Sequence, residues 1–548
     1  MLFRSLISVS MVFFLGCTDS QTSEPAESTE AAALPNTIDA SVAVTGGQLL
    51  GFVDEDDLKQ FHGIPFAAPP IGNLRWAPPA AVVPWEGERA ATEPGAACMQ
   101  PQDDSGSFYG RSGFAMDEDC LFLNVWTRAK TESDKLPVMV WIHGGALVTG
   151  SGNIYAGESL TAKGVVLVTV NYRLGRFGFL AHPELTAESA KNASGNQGLR
   201  DQIAALQWVQ QNIARFGGDP DKVTIFGESA GSFSMSLLQA SPLTRGLIDG
   251  VIGQSGGAFQ PMWFRDKATS YAASAEQDGD TFIQALTADG SEVSLDAARN
   301  VPAEQVLEVI QSNPAFSNYD ALAIVDGDVI PDEVATIFSE GRQIDVPVLI
   351  GSNANEGSTF LEYFTPIFGQ GQAGFNGFAA VTLPETVDSI GVHYPSESDQ
   401  TAEAAWADLF SDVLFAYPMR TWARNMETVE SDAYLYFFTW APPVENTEKY
   451  GAFHAGEIGY VFGDVTQFGA TPAAADHQLS DMMSSMWTQF AKTGTPNGLG
   501  LPQWQAYSSD TEVYMELGVN TGMHSKLRMG QMALIETSWA QRRENSTQ

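Results

Sequence analysis

The sequence predicts an α/β fold: a mostly parallel central sheet with helices on both faces and large loop and helix insertions. Three apolar, β-branched runs, at 136–142, 223–226 and 346–350, lead to this prediction, because each is short enough for a strand and passes into a glycine-bearing loop. Continuous apolar runs of this length are typical of strands that are buried on both faces. Polar side chains follow each run, as expected where parallel strands end at one edge of a sheet.

The first run, 136–142, continues into His-Gly-Gly-Ala at 143–146. Such a loop leaves backbone N–H groups without strand partners. Acyl transfer develops negative charge on a carbonyl oxygen, and preorganised N–H donors stabilise that charge by roughly 3–4 kcal/mol per donor. An ordinary glycine-rich turn is the alternative interpretation. It is disfavoured here because a serine motif follows the next run.

The second run, 223–226, leads into Gly-Glu-Ser-Ala-Gly at 227–231 and then into helix-compatible sequence. Gly-x-Ser-x-Gly on a strand-to-helix turn is a nucleophile elbow, which is typical of the α/β-hydrolase fold. A serine hydroxyl is a weak nucleophile at neutral pH, so a base must reach its proton. We therefore predict that Ser229 is the nucleophile. The predicted oxyanion-hole donors are the N–H groups of Gly145, Ala146 and Ala230.

A second copy of the same pattern, Gly-Gln-Ser-Gly-Gly at 253–257, makes Ser255 a rival nucleophile. The sequence after Ser255 is Gly-Gly-Ala-Phe-Gln-Pro, which starts no helix. The strand signal before it, Val251-Ile252, is also shorter than the run before Ser229. Ser255 is therefore predicted to be a bystander.

The third run, 346–350, leads to Gly-Ser-Asn-Ala-Asn-Glu and places Glu356 just after a strand. We predict that Glu356 is the acid of a catalytic triad. Asp326 and Asp328 are the alternatives, in Val-Asp-Gly-Asp-Val, but Asp-Gly is turn chemistry and favours a structural role for both.

The base should follow the acid, because α/β-hydrolases carry their triad in the chain order serine, acid, histidine. The order leaves four candidates: His393, His454, His477 and His524. His454 lies in a loop after the strand-like stretch 433–439 and is the predicted base. His477 instead begins an amphipathic stretch with a Met-rich apolar stripe, which predicts core packing. The stripe consists of Leu479, Met482, Met483, Met486, Trp487 and Phe490.

Further motifs surround these residues along the chain. They are Phe-His-Gly-Ile-Pro-Phe-Ala-Ala-Pro-Pro-Ile-Gly-Asn-Leu-Arg-Trp at 61–76, Glu-Asp-Cys-Leu-Phe-Leu-Asn-Val at 118–125, Gly-Arg-Phe-Gly-Phe-Leu at 175–180, Gly-Asn-Gln-Gly-Leu-Arg-Asp-Gln at 195–202 and Phe-Gly-Gly-Asp-Pro at 216–220. Together with the serine elbow, the 143–146 loop and the Glu356 and His454 segments, they resemble the type-B carboxylesterase family. That family includes bacterial para-nitrobenzyl-type esterases, fungal lipases and cholinesterases.

The resemblance runs from about residue 41 to the C-terminus and implies one domain, 41–548, with an active-site gorge. It implies the same nucleophile, acid, base and oxyanion donors, and it pairs Cys98 with Cys120 in a disulfide. The cysteines show no zinc-like spacing, and no cofactor signature or repeat is evident. The resemblance therefore predicts a serine esterase that needs neither a metal nor a cofactor.

Two departures from the family pattern bear on the substrate. The oxyanion loop has Ala146 at its third position and Leu147 where an aromatic residue is usual, which predicts an aliphatic pocket wall. The segment between Cys98 and Cys120 has no tryptophan to hold a quaternary ammonium by cation–π attraction. We therefore expect hydrolysis of uncharged short-to-medium-chain carboxylic esters rather than choline esters. A catalytically silent cholinesterase-like binding or adhesion domain and a lipase of the same family are the alternatives.

The N-terminus predicts export. Arg4 precedes an apolar stretch at 6–15, too short to span a bilayer, and Cys17 follows. This resembles a bacterial lipoprotein signal, so we expect a signal peptide at 1–17, lipid on Cys17 and a disordered polar tether at 18–40. Thr18 favours the outer membrane of a Gram-negative cell envelope, and a periplasmic or secreted enzyme is the alternative. The intact mass of the mature protein would distinguish them.

Composition limits the partners. The chain has 548 residues with 28 Lys and Arg against 66 Asp and Glu, a net charge of −38. Binding to nucleic acid is disfavoured because phosphate contacts require clustered cations. The expected partners are a small-molecule ester and, through the lipid anchor alone, a membrane. The acidity is typical of a solvated surface and would also suit a salty habitat, where counterions screen the repulsion.

Overall fold

A computed structural model describes residues 38–103, 108–109, 113–269, 272–286, 293–313 and 322–546 of the chain. The predicted signal peptide, Cys17 and most of the predicted tether lie outside the described residues, so these assignments stay predictions. Within the described ranges, no helix is long and apolar enough to cross a membrane.

Fourteen strands are formed by the described residues. They are β1 (Ser41–Val44), β2 (Gly47–Leu50), β3 (Phe52–Val53), β4 (Lys59–Pro65), β5 (Glu88–Ala90), β6 (Phe122–Thr127), β7 (Leu136–Ile142), β8 (Val166–Val170), β9 (Gly218–Glu228), β10 (Gly250–Gln254), β11 (Val348–Asn353), β12 (Ala433–Phe438), β13 (Val513–Leu517) and β14 (Gly522–Ser525). Short 3₁₀ turns occur between several of them, one of which, Glu356–Thr359, follows β11 directly.

Helices of the described residues fill the connections. They are α1 (Glu158–Ala162), α2 (Gly175–Gly178), α3 (Pro183–Glu188), α4 (Gln197–Asn212), α5 (Ala230–Ala240), α6 (Ala275–Gln284), α7 (Leu295–Ala298), α8 (Ala303–Ser312), α9 (Val334–Ser339), α10 (Leu361–Phe368), α11 (Gly371–Thr382), α12 (Ile390–His393), α13 (Asp399–Ser411), α14 (Tyr417–Asn425), α15 (Thr447–Tyr450), α16 (Ile458–Phe462), α17 (Ala474–Thr493) and α18 (Met529–Ser546). A π-helical turn, Asp412–Ala416, joins α13 to α14.

Eleven of the described strands form one sheet in the order β14-β13-β12-β11-β10-β9-β7-β8-β6-β4-β3. The seven strands from β13 to β8 pair in parallel, and antiparallel strands occupy both edges. A separate three-stranded sheet has the order β1-β2-β5. This mixed sheet with flanking helices is the α/β-hydrolase fold, and it confirms the predicted fold class.

Strand β7 shows why the central runs are apolar throughout. Its alternate residues Val138, Val140 and Ile142 belong to one buried cluster, whereas Met139 and Trp141 belong to another on the opposite face. Successive strand side chains point to opposite faces, so a strand covered on both faces has no polar alternation.

Two strand boundaries differ from the predicted runs. Strand β11 begins at Val348, after Pro347, because proline has no N–H to donate to a ladder. Strand β9 begins at Gly218, where its first residue pairs with Leu136 of β7. The residues before the apolar run join the strand through backbone pairing, and a search for apolar runs does not detect such residues.

Helix α17 confirms the predicted packing of the Met-rich stripe. Leu479, Met483, Met486, Trp487 and Phe490 are buried in the cluster beneath the sheet. The helix ends at Thr493 and is capped by Gly494, whose φ of 74° is the left-handed conformation that glycine adopts readily. The exposed His477 lies at its start, away from the core.

Candidate active site

Ser229 lies in a sharp turn between β9 and α5. Its φ and ψ are 54° and −122°, a sparsely populated region that costs of order 1–3 kcal/mol for a residue with a side chain. The turn crosses close to β7, since a Cβ built on Gly231 would lie 2.1 Å from the carbonyl oxygen of Ile142. Only glycine permits that approach, as the elbow motif predicts.

His454 and Glu356 come together beside this turn. Glu356 Oε2 is 2.7 Å from His454 Nδ1, and both side chains are buried. Glu356 Oε1 accepts a hydrogen bond from the backbone N–H of Asn353, at 2.6 Å. A carboxylate only accepts, so the proton of the imidazole belongs on Nδ1 and Nε2 is the nitrogen that can act as a base.

Glu228, which immediately precedes Ser229, faces the other side of the imidazole. Its Oε1 lies 3.1 Å from His454 Nε2, yet this oxygen accepts no hydrogen bond from the described residues. The contact is therefore electrostatic rather than a hydrogen bond, and Nε2 is not committed to Glu228. No hydrogen bond joins Ser229 Oγ to His454 among the described residues, and catalytic hydrogen bonds commonly tighten only when substrate is bound.

Glu457 completes a set of buried carboxyl groups around the imidazole. Its Oε2 accepts from Asn353 Nδ2 at 2.6 Å, and its Oε1 accepts from Gln254 Nε2 at 3.1 Å. Burial raises the pKa of Glu457, and the charge of Glu356 adds to the rise. The amide hydrogen bonds partly offset it.

These carboxyl groups govern the protonation of His454. Burial alone would lower the pKa of the imidazole, but the opposing attraction of Glu228, Glu356 and Glu457 raises it to about 9. Burial likewise raises the pKa of Glu228 well above its ordinary value, and the charge of His454 opposes that rise. The site therefore favours an imidazolium, the form that appears when a base has taken a proton from serine.

A pKa of about 9 for His454 sets the expected pH dependence. Only the unprotonated imidazole accepts a proton, so kcat/KM for an uncharged p-nitrophenyl ester should rise with pH through a midpoint near 9 rather than near the ordinary histidine value of about 6.5. Glu228→Gln removes one attracting charge and should move the midpoint to lower pH. Rates between pH 5 and 10 at constant ionic strength measure it.

Glu304→Gln, on the exposed face of α8, is the matched control and should leave the midpoint in place. A Glu228→Gln midpoint at the same or higher pH would contradict the electrostatic account of the His454 pKa.

The predicted oxyanion donors lie at the same place. Gly145 and Ala146 line the cavity, and Ala230 is the first residue of α5. No hydrogen bond takes up the N–H groups of these three residues in the part of the chain that the structure describes. The loop bends sharply, with φ of 102° at Gly145 and 57° at Ala146. Unpaired N–H groups at a helix start favour negative charge.

His143, the first residue of that loop, is a structural group. Its ring stacks on Tyr172 with centroids 4.5 Å apart, and its Nδ1 lies 2.8 Å from the carbonyl oxygen of Gly144. Burial lowers the pKa of His143 to about 4, so the ring is neutral at neutral pH. It shapes the loop without adding charge to the site.

A cavity of about 430 Å³ opens onto these groups and falls within the range of small-molecule sites. Its described walls carry the rings of Tyr109, Tyr155, Phe360, Tyr363 and Phe468. The prediction that Leu147 contributes to an aliphatic wall is wrong, because Leu147 packs in the core and does not line the cavity, whereas Ala146 does line it. Its backbone φ is 61°, in the left-handed region. The walls combine these rings with the aliphatic side chains of Val148, Ile154 and Ile458.

The rival residues lie elsewhere. Ser255 is fully buried after β10 and does not line the cavity. Asp326 accepts hydrogen bonds from the backbone N–H groups of Asp328 and Ile330 within its own turn. Asp328 pairs with Arg200 at 2.6 Å. Both aspartates thus have the turn role that Asp-Gly indicates.

The remaining histidines do not line the cavity onto which Ser229 opens. His393 ends the short helix α12, and His524 in β14 lies 3.4 Å from Glu516. The structure thus brings Ser229, Glu356 and His454 together and leaves the other candidates apart.

Sequence reasoning missed Glu228, which contacts the base, and Glu457, whose charge acts on it. The signals that could have found them are an acidic residue at the second position of the elbow motif and another three residues after His454. Cys98 and Cys120 form the expected disulfide, with Cα atoms 4.9 Å apart.

Comparisons with known proteins agree on one family. A profile of the carboxylesterase family matches residues 38–535. Fumonisin B1 esterase of Sphingopyxis macrogoltabida is 35% identical over 485 residues, which cover 85% of this chain and 85% of that protein. Liver carboxylesterase 1 of Oryctolagus cuniculus is 32% identical over 538 residues, 90% of this chain and 92% of that protein. Carboxylesterase 5A of Homo sapiens is 34% identical over 497 residues, 85% of this chain and 83% of that protein.

Proposed function

The chain belongs to the carboxylesterase family and is a carboxylic ester hydrolase, and on that basis we propose that it cleaves uncharged short-to-medium-chain esters through an acyl-Ser229 intermediate. The observation that supports this mechanism is the 2.7 Å contact of Glu356 with His454 beside the strained Ser229 turn, on the wall of a cavity of about 430 Å³. A nucleophile, a base and an orienting acid are the parts that acyl transfer to serine requires.

In the first half of the proposed reaction, Ser229 Oγ attacks the ester carbonyl carbon while His454 Nε2 takes the hydroxyl proton. The carbonyl oxygen becomes an oxyanion, which the N–H groups of Gly145, Ala146 and Ala230 stabilise. The bond to the alcohol oxygen then breaks, and the imidazolium gives its proton to that oxygen. The alcohol leaves and Ser229 carries the acyl group.

In the second half, water attacks the acyl carbon and gives a proton to His454 Nε2. Collapse of the second tetrahedral intermediate breaks the bond to Ser229 Oγ, which takes the proton back. The carboxylic acid leaves and the enzyme returns to its starting state. Glu356 holds the imidazole and stabilises its charged form in both halves.

The charge of the cavity points to the substrate class. Asp103 and Glu228 line it, and none of its described lining residues is a lysine or an arginine. His454 also lines it but is uncharged in the form that acts as a base. The whole chain carries a net charge of −38. An ester with its own carboxylate would therefore enter against repulsion, whereas a neutral ester meets aromatic and aliphatic walls. The proposed substrates are accordingly uncharged.

A matched pair of substrates tests this proposal. Mono-p-nitrophenyl glutarate and p-nitrophenyl pentanoate have acyl chains of equal length and differ by one carboxylate. We expect kcat/KM to be on the order of 10–100-fold lower for the anion, because a like charge several Å away costs a few kcal/mol at an effective dielectric constant of about 20. Added salt should narrow the gap by screening.

Asp103→Asn should reduce the ratio of kcat/KM between the neutral and the anionic ester at low salt. It should change kcat/KM for the pentanoate ester little. Equal or faster hydrolysis of the anionic ester would overturn the proposed substrate class without touching the serine mechanism.

A further inference from the structure

Tyr109 lies inside the segment closed by the Cys98–Cys120 disulfide, far in sequence from the base, and yet its hydroxyl contacts the backbone of the base. Tyr109 Oη donates a hydrogen bond to the carbonyl oxygen of His454 at 2.7 Å. Tyr109 Oη also lies 2.7 Å from Thr359 Oγ1. One hydroxyl thus joins three separate parts of the chain.

The loop at 452–454 is held in place through its three successive backbone carbonyl groups, each of which accepts a hydrogen bond. The backbone N–H of Asn355 donates to the carbonyl oxygen of residue 452 at 2.9 Å, and Asn353 Nδ2 donates to that of residue 453 at 2.8 Å. Both donors lie at the end of the sheet. The third carbonyl, that of His454 itself, is held by Tyr109 at 2.7 Å. The hydroxyl therefore completes an anchor that the sheet supplies only in part.

The direction of these hydrogen bonds follows from what each group can do. A carbonyl oxygen only accepts, so the phenolic proton of Tyr109 goes to His454. Thr359 must then donate to Tyr109. Burial raises the pKa of Tyr109 well above its ordinary value, so the phenol keeps its proton over the working range. Thr359 ends the 3₁₀ turn that begins at Glu356, and Tyr109 thereby links the acid segment to the base loop.

The peptide unit that Tyr109 holds is followed by a strained residue. Ala455 has a φ of 65°, in the left-handed region that side chains other than glycine disfavour. The cost of this conformation for alanine and the worth of one neutral hydrogen bond are of the same order. Without the hydroxyl, the turn after His454 can relax, and the imidazole turns with it.

We propose that Tyr109 is a positioning residue that fixes the backbone of His454 and thereby aims its imidazole at Ser229. The inference rests on the proposed function, in which His454 is the base. A misaimed base slows proton transfer in each chemical step, whereas binding of the ester depends on the cavity walls. The expected loss is therefore in kcat rather than in KM.

A packing role is the competing explanation, because the Tyr109 ring also contacts aromatic neighbours. Its centroid lies 5.6 Å from that of Phe360 and 5.1 Å from that of Phe108. Two variants separate the explanations. Tyr109→Phe keeps the ring and loses only the hydroxyl, and Tyr109→Ala loses both.

The test compares these variants with wild type on p-nitrophenyl butyrate, together with thermal unfolding of each. We expect Tyr109→Phe to lower kcat about 3–10-fold, with KM and Tm close to wild type, since of the two hydrogen bonds that are lost only the neutral one to the His454 carbonyl holds the base. Tyr109→Ala should lower kcat at least as much and also lower Tm. Tyr450→Phe is the matched control, because it removes a hydroxyl from the ring that packs on Phe108 at 4.9 Å. Its kcat should equal that of wild type.

A Tyr109→Phe enzyme with wild-type kcat would overturn the inference, as would a loss confined to KM. Rescue of the Tyr109→Ala kcat by phenylalanine would likewise assign the residue to packing. Failure of the proposed function is distinguishable, because Ser229→Ala and His454→Ala would then remain active. If those two are inactive and Tyr109→Phe is normal, only the positioning role fails.

Discussion

Ser229→Ala is expected to lower kcat for p-nitrophenyl butyrate by about 10⁶-fold, which is the scale of losing a serine nucleophile whose triad acts as a unit. The remaining rate would come from the oxyanion donors and from substrate binding, which do not need the hydroxyl. The elbow keeps its shape, because alanine meets the same φ of 54° as serine does. Active-site titration with an uncharged p-nitrophenyl phosphonate measures the loss independently, since only an activated serine releases the nitrophenolate burst.

Ser255→Ala is the matched control, as it removes a hydroxyl from the second Gly-x-Ser-x-Gly pattern. Ser255 has a φ of 55° and is fully buried, and its Oγ has no hydrogen-bond partner among the described residues. Most of the activity should remain. The assignment of the nucleophile would be wrong if a folded Ser255→Ala enzyme were inactive while Ser229→Ala was active.

Glu356→Gln is expected to lower kcat by about 10⁴-fold, the scale seen when a triad acid becomes an amide. The reason lies in the two acceptor contacts of Glu356. Its Oε1 accepts from the backbone N–H of Asn353 at 2.6 Å, and a backbone N–H can only donate. Glutamine must therefore turn its single oxygen to Asn353 and its NH₂ group to His454. Nδ1 must then accept, so the proton moves to Nε2 and the base is lost.

Asp326→Asn serves as the control for the acid and should leave kcat within about twofold of wild type, because Asp326 caps its own turn. Single-turnover acylation rates at pH 10 provide the comparison, since most of the wild-type imidazole is then unprotonated. A larger loss in folded Asp326→Asn than in Glu356→Gln would show that the wrong acid had been chosen.

Much of the fold follows from local patterns. The run at 136–142 coincides with β7, and the Met-rich stripe lies buried on α17. Strands covered on both faces need continuous apolar residues, and a helix covered on one side needs an apolar stripe, so both leave a periodic signal. Glycine at 231 is predictable in the same way, because a turn this tight excludes a side chain.

The candidate triad is also readable from the chain, because its members follow strands in a known order. The order narrows seven histidines to four, and the strand-to-loop position singles out His454. The charged groups around the His454 imidazole are harder to predict from the sequence. The motif that presents Ser229 does not indicate that Glu228 faces the imidazole, since the direction of that side chain depends on how β9 meets the base loop.

The sequence by itself determined the fold class and the strand-to-loop placement of the candidate triad, because these depend on local periodicity, turn residues and motif order. The pairing of Cys98 with Cys120 was implied by the family resemblance instead. Only the tertiary structure decided which carboxyl groups surround His454 and that Leu147 packs in the core. It also decided the hydrogen bond from Tyr109 to the base loop. Tyr109 and His454 are 345 residues apart in sequence, and no local pattern records that they meet. Contacts of this kind arise from the packing of whole elements, which fixes distances that no single segment specifies.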